Sequence, residues 1–239
     1  MKKKFDVNGL YAFNIPNGVR EIARSDFEFK GECTLKTIIL PSSLEKIHDD
    51  VYEVFKNIEK CYYESDLHGW LNIEIDFPLF SCPRGVRLFL SPTDSFGNKI
   101  SDDYQELIEY KHPDIVHTIG DYQLYNIVSI KKVAFPYNNL VLKIGRHAFS
   151  RCVNIKEIKL SFKTIDIDDY AFSETSFESI DIPPLVEKLG YAIFKGNKEL
   201  RKVRILSDVY PLDTNRDWLE GSSAEVEIVG EYLTHSNEA

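Results

Sequence analysis

The stretch Ile144–Leu160, IGRHAFSRCVNIKEIKL, decides the fold, because altered copies of it return at Ile167–Ile182 and at Leu189–Ile205. The three copies start 23 and then 22 residues apart. A fixed period of this size is typical of solenoids, in which each repeat is one supersecondary unit. The sequence therefore predicts a coil of stacked repeats rather than a closed globule.

Each copy combines a return segment, which carries an Ala-Phe or Ile-Phe pair, with a short apolar run of the form I-x-L. Alternation places both apolar residues of the run on one side of a strand. One repeat cannot bury that side alone, and stacking its neighbours does so. We expect Phe149, Phe172 and Phe194 to form a column inside the coil, where each buried side chain contributes roughly 1.5–3 kcal/mol.

Two further copies begin at Ile119 and Ile22, and a looser copy begins at Ile47. They predict one elongated domain over residues 1–239, closed at both ends by segments that hide the apolar ends of the coil. Its parts are an N-terminal cap (1–21), repeats (22–63), an irregular insert (64–118), further repeats (119–206) and a C-terminal cap (207–239).

Residues 64–118 break the period, because the Ala-Phe pair is missing there. Alternating apolar residues at 73–77 and 86–90 predict two strands, and the turn-forming residues between them predict a hairpin. The polar segment 91–103 is expected to project as a loop, and inserted loops often carry binding residues. We expect Trp70 to be a packing residue.

The repeat pattern resembles the BspA-like leucine-rich repeat family. The residues that match it best are Ile144-Gly145, Ala148-Phe149, Cys152, Ile155, Ile158 and Leu160, with strand-ending pairs at Ile15-Pro16, Leu40-Pro41, Phe135-Pro136 and Ile182-Pro183 and a tryptophan element at 66–73. The resemblance implies a mainly-β or α/β-type leucine-rich repeat solenoid with one short strand per repeat, an irregular β-hairpin insert and two caps. It also implies a surface or secreted protein that binds other proteins and is not an enzyme.

Composition narrows the function classes. The 239-residue chain has a formal net charge of −9, which argues against a generic nucleic-acid binder. No run of about 18 apolar residues is present, so no membrane span is predicted. The N-terminal residues 1–13 lack the apolar core of a signal peptide, which favours a cytoplasmic protein over a secreted or cell-surface one.

The outward positions of the predicted strands are rich in lysine and arginine. Six sets of three such positions contain nine basic and four acidic residues. One interpretation is that these charges only solvate an exposed sheet; the other is that they attract an acidic protein or a polyanion. The predicted binding residues are Lys36, Tyr62, Lys131, Lys132, Lys156, Lys159, Arg201 and Arg204, with Phe96 from the insert loop.

Motifs of catalysis are missing from the sequence: it has no phosphate-binding glycine loop, no nucleophile elbow and no H-E-x-x-H. His112 and His117 lack the spacing of a helical metal pair, and nothing in the sequence specifies a Cys82–His68 dyad. The four cysteines suit tight turns and apolar strand positions, with a disulfide or metal as the alternative. We predict no catalytic residues, metal or cofactor.

The leading hypothesis is a non-enzymatic protein-binding solenoid that acts as an adaptor, an inhibitor or an adhesin through its strand face and insert. The alternative is a polyanion-binding module that uses the basic strip. A hydrolase hidden in residues 64–118 is a third hypothesis and requires a deep pocket with a cysteine or histidine at its base. The oligomeric state is not predicted.

Overall fold

The computed structural model describes residues 4–94, 99–135, 140, 142–207 and 216–229. Within it the chain divides into two compact units. The first unit comprises Met1–Leu107 and Tyr125–Ser129, and the second comprises Ile108–Leu124 and Ile130–Ala239. The single domain over residues 1–239 stays a prediction, and each unit is described by itself.

The first unit is a coil of short parallel strands. Its strands are β1 (Phe5–Asp6), β2 (Ala12–Asn14), β3 (Glu21–Ile22), β4 (Phe27–Glu28), β5 (Thr37–Leu40), β6 (Lys46–Ile47), β7 (Lys60–Tyr63), β8 (Arg87–Leu90) and β9 (Gln105–Glu106). The main sheet has the order β2-β5-β7-β8-β9, and all its pairs are parallel except β8 with β9. A second ladder joins β3 to β6 and continues through a bridge from Lys46 to Glu74. Two helices, α1 (Tyr52–Phe55) and α2 (Leu67–Leu71), lie in the return segments.

Aromatic rings fill the interior of the first unit. The ring centroids of Phe27 and Phe55 lie 6.3 Å apart, and Phe80 stacks on Phe55 at 6.3 Å. The Trp70 ring stacks on the other side of Phe80, also at 6.3 Å, and is buried. Phe80 and Trp70 therefore fill the place that the Ala-Phe pair fills elsewhere, and Trp70 is confirmed as a packing residue.

The second unit repeats two ladders. Its strands are β10 (Glu109–Lys111), β11 (Thr118–Ile119), β12 (Lys132–Ala134), β13 (Lys143–Ile144), β14 (Glu157–Lys159), β15 (Asp166–Ile167), β16 (Ser179–Ile182), β17 (Lys188–Leu189), β18 (Lys202–Ile205) and β19 (Glu225–Ile228). The two-residue strands pair in the order β11-β13-β15-β17, and the longer strands form the ladders β10-β12-β14 and β16-β18-β19. Every pair in these ladders is parallel.

The predicted phenylalanine column is confirmed in the second unit. Phe149, Phe172 and Phe194 are all fully buried, and their rings stack in sequence at 5.5 and 6.4 Å with interplanar angles of 12° and 18°. Trp218, from a short 3-10 helix at Arg216–Leu219, packs edge-on against Phe194 at 6.2 Å. The tryptophan therefore covers the apolar end of the column, as a cap must.

Tight turns follow each two-residue strand of the second unit and explain the glycine of the repeat. A Cβ on Gly190 would lie 2.4 Å from the backbone nitrogen of Asp169 in the preceding repeat, and one on Gly145 would lie 2.8 Å from that of Asp121. Three residues after the last residue of each of these strands, the backbone is left-handed: φ lies between 51° and 55° at Tyr122, His147, Tyr170 and Ala192. At Gly145 and Gly190 the turns therefore stack so closely on the preceding repeat that a Cβ would clash with its backbone, whereas the equivalent position after β15 carries Asp168.

The fold class is confirmed within each unit: both are coils of stacked repeats built from short, mostly parallel strands, and residues 64–118 depart from the regular repeat. The structure adds a second, two-residue strand to the predicted strand of a repeat. The predicted hairpin between 73–77 and 86–90 is wrong, because residues 73–77 form only an isolated bridge at Glu74. Strand β8 pairs in parallel with β7, and its antiparallel partner is β9. Parallel pairing places Leu88 next to Cys61, in a row of fully buried side chains that begins with Ile38. The predicted hairpin would leave Cys61 at the end of this row without a neighbour.

Within the described residues, no helix has both the length and the apolar character to cross a bilayer.

Candidate binding surface on the strand faces

The outward side of the first unit's main sheet carries a cluster of three aromatic side chains, Tyr62, Phe89 and Tyr104, which we call the aromatic cluster. Tyr62 and Phe89 are register partners on β7 and β8, and their rings stack at 4.6 Å with an interplanar angle of 15°. Tyr104 meets Tyr62 edge-on at 5.1 Å. All three side chains are half-buried, so part of each ring faces solvent.

An ion pair at the edge of the aromatic cluster fixes the arginine side chain that lies beside the Phe89 ring. The Arg87 guanidinium lies 5.2 Å from the Phe89 ring centroid and donates two hydrogen bonds, each of 2.6 Å, to the Glu106 carboxylate. A bidentate pair of this kind fixes both side chains more firmly than a single contact does. The rings are therefore presented by a preorganised surface.

Residues of the insert complete this surface. Lys99 places its Nζ 4.8 Å from the Tyr104 ring centroid and donates to the Glu64 carboxylate at 3.1 Å. Burial of the Lys99 ammonium opposes its charge, but hydrogen bonds to Asp102, Tyr104 and Glu64 outweigh that effect and raise its pKa. The described part of segment 91–103 thus packs beside the strand face, where a freely projecting loop was expected.

On the second unit, the outward strand positions form an alternating array of charges. The Lys132 ammonium lies 3.1 Å from the Glu157 carboxylate across β12 and β14, and this hydrogen bond raises the pKa of Lys132. Arg204 donates two hydrogen bonds, of 2.6 and 2.5 Å, to the Asp181 carboxylate across β16 and β18. Two of the six predicted cations on this unit, Lys132 and Arg204, are therefore neutralised by cross-strand partners.

The other four predicted cations on the second unit are not paired in this way. Lys131, Lys156, Lys159 and Arg201 form no ion pair with any residue in the described ranges. Lys156 and Lys159 line a groove of about 680 Å³ on this face, together with residues of β12 and β16. Free positive charge is thus concentrated around β14 instead of running along the whole face.

The predicted site residues are divided between the two units. Lys36 and Tyr62 lie on the first unit, and Lys36 pairs with Glu59 at 3.3 Å. The predicted cations on the second unit are Lys131, Lys132, Lys156, Lys159, Arg201 and Arg204. Phe96 lies outside the described residues.

Sequence reasoning missed Phe89, Arg87 and Tyr104. The alternation of apolar residues at 86, 88 and 90 marks position 89 as outward-facing. That signal identifies Phe89 as soon as β8 is aligned with Tyr62 of β7. Arg87 follows from the same alternation, whereas Tyr104 reaches the cluster through a tertiary contact that no local pattern indicates.

The strongest candidate for chemistry is a buried pair, Tyr110 and His112. The Tyr110 hydroxyl donates to His112 Nδ1 at 2.5 Å, and His112 Nε2–H donates to the Val116 carbonyl at 2.7 Å. Both ring nitrogens thus have partners when the imidazole is neutral, and burial lowers the pKa of His112. Since both side chains are buried, the pair fits a structural role.

The other candidate chemical groups are also separated or buried. No group of three or more histidine, cysteine or acidic side chains in the described ranges could hold a metal ion. His68 lies beside the Asn72 side chain at 3.1 Å, and no hydrogen bond joins it to Cys82 within the described part of the chain. The thiols of Cys33, Cys61, Cys82 and Cys152 are buried and form no disulfide, and burial raises the pKa of Cys33 and of Cys61.

Comparison with known proteins identifies the repeat. The profile of a family described as "BspA type Leucine rich repeat region (6 copies)" matches residues 2–72 and 95–216. No protein in the curated collection of sequences matches the chain significantly.

Solved structures of bacterial proteins are similar at low sequence identity. The pneumococcal vaccine antigen PcpA is 17% identical with a TM-score of 0.47, and the match covers 92% of this chain and 66% of that one. A leucine-rich cell surface protein from Faecalibacterium prausnitzii A2-165 is 15% identical with a TM-score of 0.46, and the match covers 94% of this chain and 61% of that one. The chain thus spans just under two thirds of the length of either structure.

Proposed function

This chain belongs to the BspA-type leucine-rich repeat family, and we propose that it is a non-enzymatic module that binds another protein through the strand face of its first unit. The observation that carries the proposal is the aromatic cluster, Tyr62, Phe89 and Tyr104, on the outward side of a parallel sheet. The insert contributes Phe89 and Tyr104, so strand face and insert act as one surface.

Physical chemistry favours this surface as a binding site. Tyrosine, phenylalanine and arginine are enriched at protein interfaces, and the aromatic side chains bury large areas at a low cost in conformational entropy. Here the rings already stack on one another, and Arg87 is already held by Glu106. A partner therefore meets a surface whose conformational entropy has largely been lost during folding, which strengthens association.

The experiment is a capture assay with the immobilised full chain and an extract of the source cells and their surroundings. The Tyr62→Ala/Phe89→Ala variant removes two rings of the aromatic cluster. The matched control, Phe29→Ala/Tyr52→Ala, removes two partly exposed rings of the same unit that lie outside the cluster. Circular dichroism and thermal melting establish that both variants are folded.

We expect the cluster variant to capture at least about 10-fold less of the partner than the natural chain does. The reason is that each interface hot spot contributes about 2 kcal/mol or more to binding. The control variant should capture the partner as well as the natural chain does. A folded cluster variant that captures the same partner in the same amount would refute the proposal.

The second candidate function is polyanion binding, which the four cations Lys131, Lys156, Lys159 and Arg201 favour. Their carboxylate neighbours Glu157 and Asp181 reduce the charge of the face as a whole. If a polyanion binds here, the affinity for heparin should fall steeply with salt concentration, because counterions are released from the polymer. Weak binding with little salt dependence would exclude this candidate.

A further inference from the structure

The main sheet of the first unit begins with an edge strand, β2, which pairs within the described residues only with β5. The Ile15 N–H donates to the Ile39 carbonyl at 3.0 Å, and the Tyr11 carbonyl accepts at 3.1 Å from the N–H of the first residue of β5. Residues 11 and 15 therefore direct these backbone groups towards β5. Because alternate residues of a strand direct their backbone groups to opposite sides, the N–H and C=O of Ala12 and Asn14 point away from the sheet.

The last sheet of the second unit ends with another edge strand, β19, whose ladder partner in the described ranges is β18. The N–H groups of Glu225 and Val229 donate, each at 2.8 Å, to carbonyls in and next to β18. By the same alternation, the N–H and C=O of Val226 and Ile228 point away from β18. Each of the two sheets therefore has one edge at which a further strand can add.

Both edges leave apolar side chains exposed. At the first edge, Tyr11 is 65% exposed and Leu10 is 38% exposed, and at the second edge Ile228 is 49% exposed. Phe13 and Val226 are partly exposed, although their register partners on β5 and β18 are completely buried. The terminal repeats of a solenoid need a polar outer face to stay in solution. These two edges thus lack the cover that a neighbouring strand provides elsewhere in the array.

The two edges are complementary to each other in a parallel ladder. On β19 the free backbone groups belong to residues whose side chains point inward, whereas on β2 they belong to the neighbours of the inward Phe13. If Phe13 lies opposite Val226, the Val226 N–H reaches the Ala12 carbonyl and the Asn14 N–H reaches the Val226 carbonyl. Strand β19 follows β18 in the same relation, so the ladder of one copy would continue into the next with the same pairing.

The formal charges of the two predicted cap segments favour the same contact. Residues 1–21 contain four basic and two acidic residues and carry a charge of +2, whereas residues 207–239 contain one basic and eight acidic residues and carry a charge of −7. Opposite charges steer unlike ends together and keep like ends apart. Two copies of β19 would oppose their glutamates, whereas β2 has no charged residue.

We propose that β19 of one copy of this chain adds to β2 of a second copy, so that the copies associate head to tail. An edge strand is a template for pairing with another chain, and strand addition takes its affinity from main-chain hydrogen bonds. The exposed apolar side chains of the two edges cover one another in this contact. Because the two surfaces differ, each dimer keeps one free edge of either kind, and association continues. This contact is separate from the aromatic cluster and does not rest on it.

The test is sedimentation velocity of the full chain over a range of concentrations, at low and at high salt. Asn14→Pro removes an outward N–H of β2, and Ile228→Pro removes one of β19; proline is tolerated on an edge strand where the N–H faces solvent. The matched control is Ser42→Pro, which places a proline after Pro41 in an exposed turn, at a position where proline is favoured. Circular dichroism and thermal melting establish that the variants are folded.

We expect the natural chain and Ser42→Pro to form assemblies that grow with concentration and that high salt weakens. Asn14→Pro and Ile228→Pro should each associate at least about 10-fold more weakly. An equal mixture of these two variants should form a dimer that does not grow further. The reason is that the Asn14→Pro copy keeps an intact β19 and the Ile228→Pro copy keeps an intact β2.

Four results would overturn the proposal. The natural chain stays monomeric at every concentration; both folded edge variants associate as the natural chain does; only one of them dissociates the assembly, which makes two like ends the interface; or the Ile228 amide exchanges slowly in the dilute monomer, because another segment of the same chain then covers this edge. A failure here leaves the capture assay untouched, since Tyr62 and Phe89 lie on β7 and β8 in the interior of their ladder.

Discussion

The phenylalanine column of the second unit allows a quantitative prediction, the effect of Phe172→Ala. Phe172 is fully buried and lies between two other rings, with Phe149 at 5.5 Å and Phe194 at 6.4 Å, and its edge contacts Phe177 at 6.3 Å. Truncation of a core phenylalanine costs about 3–5 kcal/mol. Because two stacked pairs are lost at once and each adds about 0.5–1.5 kcal/mol, we expect the upper half of that range.

The assay is thermal and guanidinium unfolding in a Trp70→Phe background, so that Trp218, which packs on Phe194, is the fluorescent reporter. For a chain of this length, a loss of about 4 kcal/mol lowers Tm by roughly 10 °C. Leu185→Ala is the matched control, because Leu185 is about half exposed in the same unit and its truncation should change stability by less than about 1 kcal/mol. Equal Tm values for Phe172→Ala and Leu185→Ala would refute the stacked column as a source of stability.

Three further predictions concern the turns and the charges of the second unit. Gly190→Ala should destabilise the unit by about 2 kcal/mol or more in denaturant titration, because its Cβ would lie 2.4 Å from the backbone of the preceding repeat; an unchanged midpoint would contradict that packing. Burial lowers the pKa of His147, so the unfolded chain binds more protons below about pH 6.5 and stability falls with falling pH. In the His147→Phe variant, the free energy of unfolding from denaturant titrations should fall less steeply between about pH 7 and pH 5 than in the natural chain. The same slope in both proteins would contradict this role of His147. Lys132→Glu should cost about 0.5–1 kcal/mol, because it sets like charges opposite one another, while Lys159→Glu should stay nearly neutral; equal melting temperatures would disprove the difference.

Much of the fold follows from the period alone. The returning Ile-Gly and Ala-Phe pairs predict the repeats, and they predict the column of Phe149, Phe172 and Phe194 because only stacking buries these rings.

The insert could not be predicted in the same way. Its repeats lack the Ala-Phe pair, and Phe80 and Trp70 fill the equivalent space from different positions in the chain. Alternation at 86–90 predicts a strand, but alternation carries no information on which neighbour that strand pairs with. The row of Ile38, Cys61 and Leu88 decides the pairing, and that row exists only in three dimensions.

The candidate surface was predicted in part for a similar reason. Outward positions are readable from the sequence, so Tyr62 and the lysines were found. Whether a lysine is free depends on the register of the next strand, which sets Lys132 against Glu157 but leaves Lys156 and Lys159 without a carboxylate in the described ranges. Only the observed strand pairing therefore shows which lysines are neutralised and which are available to a ligand.

The left-handed turns have a consequence for engineering this scaffold. A non-glycine residue in that conformation is disfavoured by about 1–2 kcal/mol, and at Tyr122, His147 and Tyr170 the strain is offset by ring stacking at 4.9 and 4.7 Å. Ala192 adopts the same φ without a ring to offset it. Of these four turn positions, Ala192 is therefore the one where glycine would relieve backbone strain without loss of a stacked ring, whereas at the other three the same change would remove a ring from a stack.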